Sequence, residues 1–165
     1  MGLAACAASA PEPGRPVIPS AQVVEAGVFT IGAPLGRVTA PNTGTGSVGV
    51  VDPLRDPVLQ SPTRRIPARL GIRFGLRFRV DSRGGASILR VRVRVLHPPL
   101  VGRDGVSRTV DEWDMDVNAG LPRYTGWAFD EPDELVAGRW TFQILLDGAL
   151  LIEEPFDVEV GPAGG

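Results

Sequence analysis

The stretch Ile88-Leu89-Arg90-Val91-Arg92-Val93-Arg94-Val95 alternates arginine with valine at a period of two. That is the period of a β-strand, where successive side chains point to opposite faces. A turn-rich stretch later, Val110-Asp111-Glu112-Trp113-Asp114-Met115-Asp116-Val117 alternates acid with apolar. The first run puts positive charge on one face and the second puts negative charge there. Both put apolar side chains on the other face. The pattern predicts an antiparallel pair with one dry face and one salt-bridged face. Matching Arg94 with Glu112, Arg92 with Asp114 and Arg90 with Asp116 also sets Val93 against Trp113 and Val91 against Met115.

Other segments repeat the signal. Gly71 to Val80 places Ile72, Phe74, Leu76, Phe78 and Val80 on one face, with Arg73, Gly75, Arg77 and Arg79 on the other. Gln22 to Ile31 reads as a first strand with Val24, Ala26, Val28 and Thr30 together. Tyr124 to Phe129 is a short strand carrying Trp127 and Phe129. The arginine–valine strand is expected to end at His97-Pro98-Pro99, because proline donates no ladder hydrogen bond. The last hairpin runs from Arg139 to Leu146 and from Ala149 to Val160. Its even-numbered residues Trp140, Phe142, Ile144, Leu150, Ile152, Phe156, Val158 and Val160 form a core face. A three-residue loop, Leu146-Asp147-Gly148, keeps even paired with even.

Turns predicted at Gly84-Gly85 and Arg103-Asp104-Gly105 join these strands. Asp130 to Leu135 suits one helical turn, with Gly138 closing it. Between Gly32 and Ala68 periodicity fades, and one or two short edge strands in a mobile excursion are expected. The 165 residues include 21 Gly and 16 Pro, well above average usage, which suits many short strands and no long helix. The reading is an antiparallel, immunoglobulin-like β-sandwich of about seven strands. One domain is expected over residues 22–161, behind a flexible Ala/Pro-rich segment, 1–21. The lone Cys6 allows no intrachain disulfide.

Four pieces in order, Glu25-Ala26-Gly27-Val28, Ile66 to Gly75, His97-Pro98-Pro99, and Gly138 to Ile144 with Phe156-Asp157-Val158, resemble the bacterial family catalogued as domain of unknown function 3859. They span roughly residues 23–160. The resemblance implies a bacterial, largely β, single-domain protein. It brings no activity, cofactor or catalytic residue with it.

Composition selects no partner. Net charge is −2, and all 17 basic residues are arginine. No segment has the ~20 consecutive apolar residues of a membrane span. Arg73, Arg77, Arg79, Arg90, Arg92 and Arg94 are the candidate anion-binding face, able in principle to hold phosphate or an acidic glycan. Acids alongside them favour a neutralised, solvated surface instead. Phe74 and Phe78 point the other way, so no stacking platform for nucleic acid is formed. Asp111, Glu112, Asp114 and Asp116 lie on a strand and cannot wrap a calcium ion as a loop does. Helix-start capping explains Asp130, Glu131, Asp133 and Glu134. Trp113, Trp127 and Trp140 sit on apolar faces and read as core rather than sugar platforms. His97 is the single histidine. No nucleophile motif accompanies it, so a structural role is expected.

Leu3-Ala4-Ala5-Cys6 resembles a bacterial lipobox, in which the cysteine carries lipid, and the Pro-rich stretch after it suits a tether. The charged and apolar segments that precede a lipobox are missing. Either the true start lies upstream or the match is a coincidence of an Ala-rich terminus.

The leading expectation is a non-enzymatic binding or interaction domain of the bacterial cell envelope, with no cofactor or metal. Its partner would be another envelope protein, and membrane contact would come only through lipid on Cys6. Without an upstream signal the location would be cytoplasmic. The alternatives are a domain binding an anionic ligand through the arginine face and, more weakly, a hydrolase-like enzyme centred on His97.

Overall fold

The computed structural model describes residues 20–30, 35–50, 57–82, 87–102 and 104–161. Eleven strands run in chain order: β1 (Ser20–Thr30), β2 (Gly36–Thr39), β3 (Ser47–Val50), β4 (Val58–Ser61), β5 (Arg65–Pro67), β6 (Arg73–Asp81), β7 (Ile88–Val101), β8 (Ser107–Asn118), β9 (Arg123–Ala128), β10 (Gly138–Leu146) and β11 (Ala149–Glu159). One sheet has the order β4-β1-β6-β9, the other β5-β11-β10-β7-β8, and β2 with β3 forms a separate hairpin. The described residues of the stretch before Ala68 therefore hold four short strands, more than its weak periodicity announces. Pairing is antiparallel except at one edge, where β5 runs parallel to β11.

The two sheets share one core. Phe74, Leu76 and Phe78 of β6 and Val91, Val93 and Val95 of β7 are fully buried. Phe74 sets its ring edge-on against Trp140, Phe142 and Phe156 of the facing sheet, with centroids 5.4–5.8 Å apart. Such contacts add to area burial because each ring's positive edge meets the other's negative face. Trp140 is buried, and its indole N–H donates to the Val136 carbonyl at 3.2 Å.

The β7–β8 register is the one the charge pattern predicts, with Arg90 opposite Asp116, Arg92 opposite Asp114 and Arg94 opposite Glu112. Bulges correct the other local readings. In the β10–β11 hairpin the turn has two residues, Asp147 and Gly148, both at positive φ, and Leu146 pairs with Ala149. The extra residue that keeps Trp140 opposite Phe156 is Leu151, in a bulge of β11 where the register shifts between Ile144 and Leu145, not a third loop residue. Between the turn and that bulge the parity is reversed, so Leu150 is exposed. Val160 lies past the end of β11 and is exposed too.

In β1 a bulge between Val23 and Glu25 switches faces: Ala21 and Val23 pack inward before it, Ala26 and Val28 after it, and Val24 is exposed. Thr30 is also exposed. Strand β7 does not end at the prolines. It runs on to Val101, with the ladder to β8 interrupted between Leu96 and Leu100, where Pro98 and Pro99 have no N–H to give. Residues 132–134 form one 3-10 turn, and Gly138 opens β10 instead of closing a helix. Cys6 and the Gly84-Gly85 turn lie outside the described residues.

Candidate functional site

The six arginines do not share a surface. Arg73, Arg77 and Arg79 belong to β6 and Arg90, Arg92 and Arg94 to β7, strands of different sheets. The alternate residues of both strands face the common core, so the two arginine sets lie on opposite outer faces of the sandwich. Each has an acid beside it. Arg73 lies 3.7 Å from Asp130, Arg77 2.6 Å from Glu25, and Arg79 3.3 Å from Asp81. Arg90 and Arg92 each place Nε 2.9 Å from the facing aspartate, with Nη2 on the other oxygen. Arg94 bonds Glu112 and extends to Gln143, whose amide donates to Glu153 at 2.7 Å. A polar row thus crosses β8, β7, β10 and β11. The guanidinium hydrogen bonds hold the Asp114 and Asp116 carboxyls below their ordinary range.

A different group of polar residues sits where the alternation fails. Along β7 the inward series Val91, Val93, Val95 continues to His97, which is 6% exposed. Along β8 the inward parity of Trp113, Met115 and Val117 belongs also to Asp111, 3% exposed, while Val110 points out. Asp111 pairs across the ladder with Val95, so His97, two residues on, is its diagonal neighbour on the dry face. The His97 Nε2 and Asp111 Oδ1 atoms face each other at 3.9 Å, and both are buried without a hydrogen-bond partner. His97 Nδ1 lies 2.8 Å from the Pro98 carbonyl, to which it donates. Nε2 is then the ring nitrogen turned toward Asp111. The imidazole also packs on Trp140, centroids 5.0 Å apart, and on Trp127 at 5.7 Å.

Above this pair opens a cleft of about 40 Å³, lined by Asp111 and Arg108 of β8, Leu100 and Val101 of β7, Trp127 of β9, the 131–134 turn and the β2–β3 turn. Bonds that dock the hairpin include the Gly44 N–H donating to Asp111 Oδ2 at 3.3 Å and the Glu112 N–H donating to the Asn42 carbonyl at 3.0 Å. Glu131, Asp133 and Glu134 supply the acidic wall. Glu134 also accepts from the N–H groups of Asp130 and Glu131 at 2.8 and 3.0 Å. Burial outweighs those bonds and pushes its carboxyl above the ordinary range. The cation of the wall, Arg108, is already committed: it grips Asp104 with both terminal nitrogens, at 2.9 and 2.5 Å, and holds that carboxyl well below its usual range. Among the described residues no group of three or more His, Cys, Asp or Glu side chains is arranged to hold a metal ion.

Sequence reading named His97 and Asp111 separately and did not join them. The signal was present, since Asp111 shares odd parity with Trp113 and His97 shares it with Val95. The interrupted ladder at the prolines hid their proximity.

Two β-sheets packed on one core in this order define an immunoglobulin-like β-sandwich. The chain is similar in fold to an immunoglobulin-like protein from Pseudomonas aeruginosa, with a TM-score of 0.57, 23% identity, and coverage of 85% of this chain and 97% of that one. Residues 20–158 match the family described as Domain of unknown function (DUF3859), and the chain belongs to that family. No curated protein matches it.

Proposed function

We propose that this protein is a non-enzymatic binding domain whose ligand enters the cleft over Asp111 and Trp127. The observation that carries this reading is the buried Asp111 side chain. It lines an open cleft and leaves Oδ1 without a partner, against the rule that buried polar atoms are satisfied. The arginine faces support binding less well. An anion there would have to compete with a carboxylate already beside each guanidinium.

The geometry also disfavours a hydrolase centred on His97. A catalytic triad orients the imidazole through an acid on Nδ1 and leaves Nε2 for the nucleophile. Here Nδ1 goes to a carbonyl, and the acid lies on the Nε2 side of a side chain with no exposed surface.

The test is ligand-observed NMR with a panel of small cationic, anionic and neutral fragments. Binding of any class that is lost in Asp111→Asn, with the fold retained, supports the reading. Binding of none at millimolar concentration, or binding unaffected by the substitution, overturns it.

Location in the bacterial cell envelope belongs to the same proposal, supported by the lipobox-like Leu3-Ala4-Ala5-Cys6 and the Pro-rich stretch after it. Expression from the full upstream region, with labelled palmitate, checks it. Label that disappears in Cys6→Ala is the expected result, and unlabelled cytoplasmic protein contradicts it.

A further inference from the structure

Resting on that reading of the cleft, we infer that its ligand presents a neutral primary carboxamide, a group that carries N–H donors and a carbonyl acceptor side by side. The cleft is lined from both sheets. Asp111 comes from β8, the outer strand of one sheet, and Trp127 from β9, the outer strand of the other. Each contributes a buried polar atom with no partner, and the two atoms have opposite roles.

The acceptor is Asp111 Oδ1. Its side chain is only 4% exposed, and Oδ2 already accepts the Gly44 N–H at 3.3 Å. His97 Nε2 stands 3.9 Å from Oδ1, beyond hydrogen-bond length however the ring is protonated. The donor is the Trp127 indole N–H. The neighbouring indole of Trp140, with its ring centroid 5.2 Å away, donates to the Val136 carbonyl at 3.2 Å. Trp127 Nε1 is buried too, yet it meets no acceptor among the described residues. A buried donor or acceptor costs desolvation free energy until a partner supplies the missing half of the bond.

Two opposite roles narrow the chemistry. An ammonium or guanidinium group satisfies Oδ1 but offers nothing to the indole N–H. A carboxylate or phosphate accepts from the indole but sets a second anion beside Asp111. A carboxamide meets both atoms, its nitrogen donating to Oδ1 and its carbonyl accepting from Nε1. Size separates it from a hydroxyl, which holds both roles on one atom. One water needs roughly 10–15 Å³ of such a cavity, so about 40 Å³ holds about three positions of that size. The carbon, oxygen and nitrogen of a carboxamide match that space, and a stem leaves through the open mouth. A hydroxyl fills one position and leaves the others to water.

The same group ends a small amide and the glutamine side chain of a peptide, and the experiment separates these sources. Proton–nitrogen NMR spectra of the whole protein follow its indole resonances, with that of Trp127 assigned by its loss in Trp127→Phe. The first arm titrates butyramide. The second titrates acetyl-Gly-Gln-Gly-methylamide against acetyl-Gly-Ala-Gly-methylamide, which lacks the side-chain amide. n-Butylammonium, butyrate, butanol and sodium chloride at matched ionic strength are the controls.

Butyramide is expected to shift the Trp127 indole proton downfield, saturably and about tenfold more tightly than the ionic controls, each of which leaves one buried atom unpaired. Asp111→Asn and Trp127→Phe should each weaken binding by about threefold to tenfold, the second read on the Gly44 amide resonance. Because Asp111 also holds the Gly44 N–H, the ranking of ligands on the unsubstituted protein decides the class without either variant. Tighter binding of the glutamine tripeptide than of butyramide identifies a peptide ligand, and the reverse identifies a small amide. Binding of the alanine tripeptide, butylammonium, butyrate or butanol as tight as that of butyramide overturns the carboxamide assignment but leaves the cleft a binding site. A response to butyramide no larger than to sodium chloride, with no control binding, leaves the two buried atoms to water and removes both readings.

Discussion

Trp140 shows how much one side chain can carry. It is fully buried at the meeting point of Phe74, Phe129, Trp127 and His97, and its indole N–H is satisfied. Replacing it by alanine removes a large apolar volume that neighbouring rings cannot refill. Trp140→Ala is expected to cost ~3–5 kcal/mol in urea unfolding. A near-neutral result would mean that the core does not close on this ring. Gly75 carries weight by what it lacks. A Cβ there would stand 2.2 Å from the Thr125 carbonyl oxygen and 2.5 Å from the Gly126 Cα, both backbone atoms of the paired strand. Strands β6 and β9 could not keep this approach, so Gly75→Ala is expected to destabilise by about 1–3 kcal/mol, as overpacking does. An unchanged unfolding midpoint would show that the two strands can spread at no cost.

The β7–β8 ladder is the element whose energetics follow most directly from position. Its three ion pairs share chemistry and differ in exposure. Arg90 and Asp116 have side chains 71% and 53% exposed, while Arg94 and Glu112 are at 35% and 22%. Water screens the first pair and screens the last less. Double-mutant cycles are expected to give favourable couplings that grow from Arg90–Asp116 through Arg92–Asp114 to Arg94–Glu112. The last should reach about 1 kcal/mol, and all three should shrink with added salt. Equal couplings, or the reverse order, would contradict the dependence on burial. The pairs matter more for strand choice than for stability, because a register slip of one residue would bury the charges and expose the valines.

Across the whole molecule, the carboxylates set how the fold responds to acid. Arg92, Arg90 and Arg108 hold Asp114, Asp116 and Asp104 below their unfolded values. Such groups contribute stability that is present above the unfolded carboxylate range and lost as pH falls through the folded one. Glu134 acts in the opposite sense, since its raised carboxyl opposes folding when ionised and that opposition fades in acid. Three lowered groups against one raised predict a net loss of stability below about pH 4. The paired Asp114→Asn, Asp116→Asn variant should show a shallower fall in urea midpoint between neutral and acidic pH. A fall as steep as that of the unsubstituted protein would remove these pairs as its cause.

How much was readable from the chain depends on the range of the cause. Strict alternation over Arg90–Val95 and Glu112–Val117 marked two strands, their wet and dry faces and their mutual register, because slips of two residues keep the faces but lose part of the charge match. The same alternation determined the inward face of β6 and marked Trp140, Phe142, Phe156 and Val158 as core. Bulges were not readable, because one unpaired residue carries no distinct composition. Val24 and Leu150 were therefore placed on the wrong face. Nor did local pattern say that β6 and β7, so alike in arginine, belong to different sheets. That assignment depends on which strand pairs with β9 and which with β10. The cleft is the clearest product of tertiary structure. Its lining comes from β7, β8, β9, a 3-10 turn and the β2–β3 turn, segments far apart in the chain. His97 and Asp111 share the parity of the dry-face residues, yet nothing in the sequence joined them. Only the packed sandwich, with the β7–β8 ladder interrupted at Pro98 and Pro99, brought them within 3.9 Å of each other.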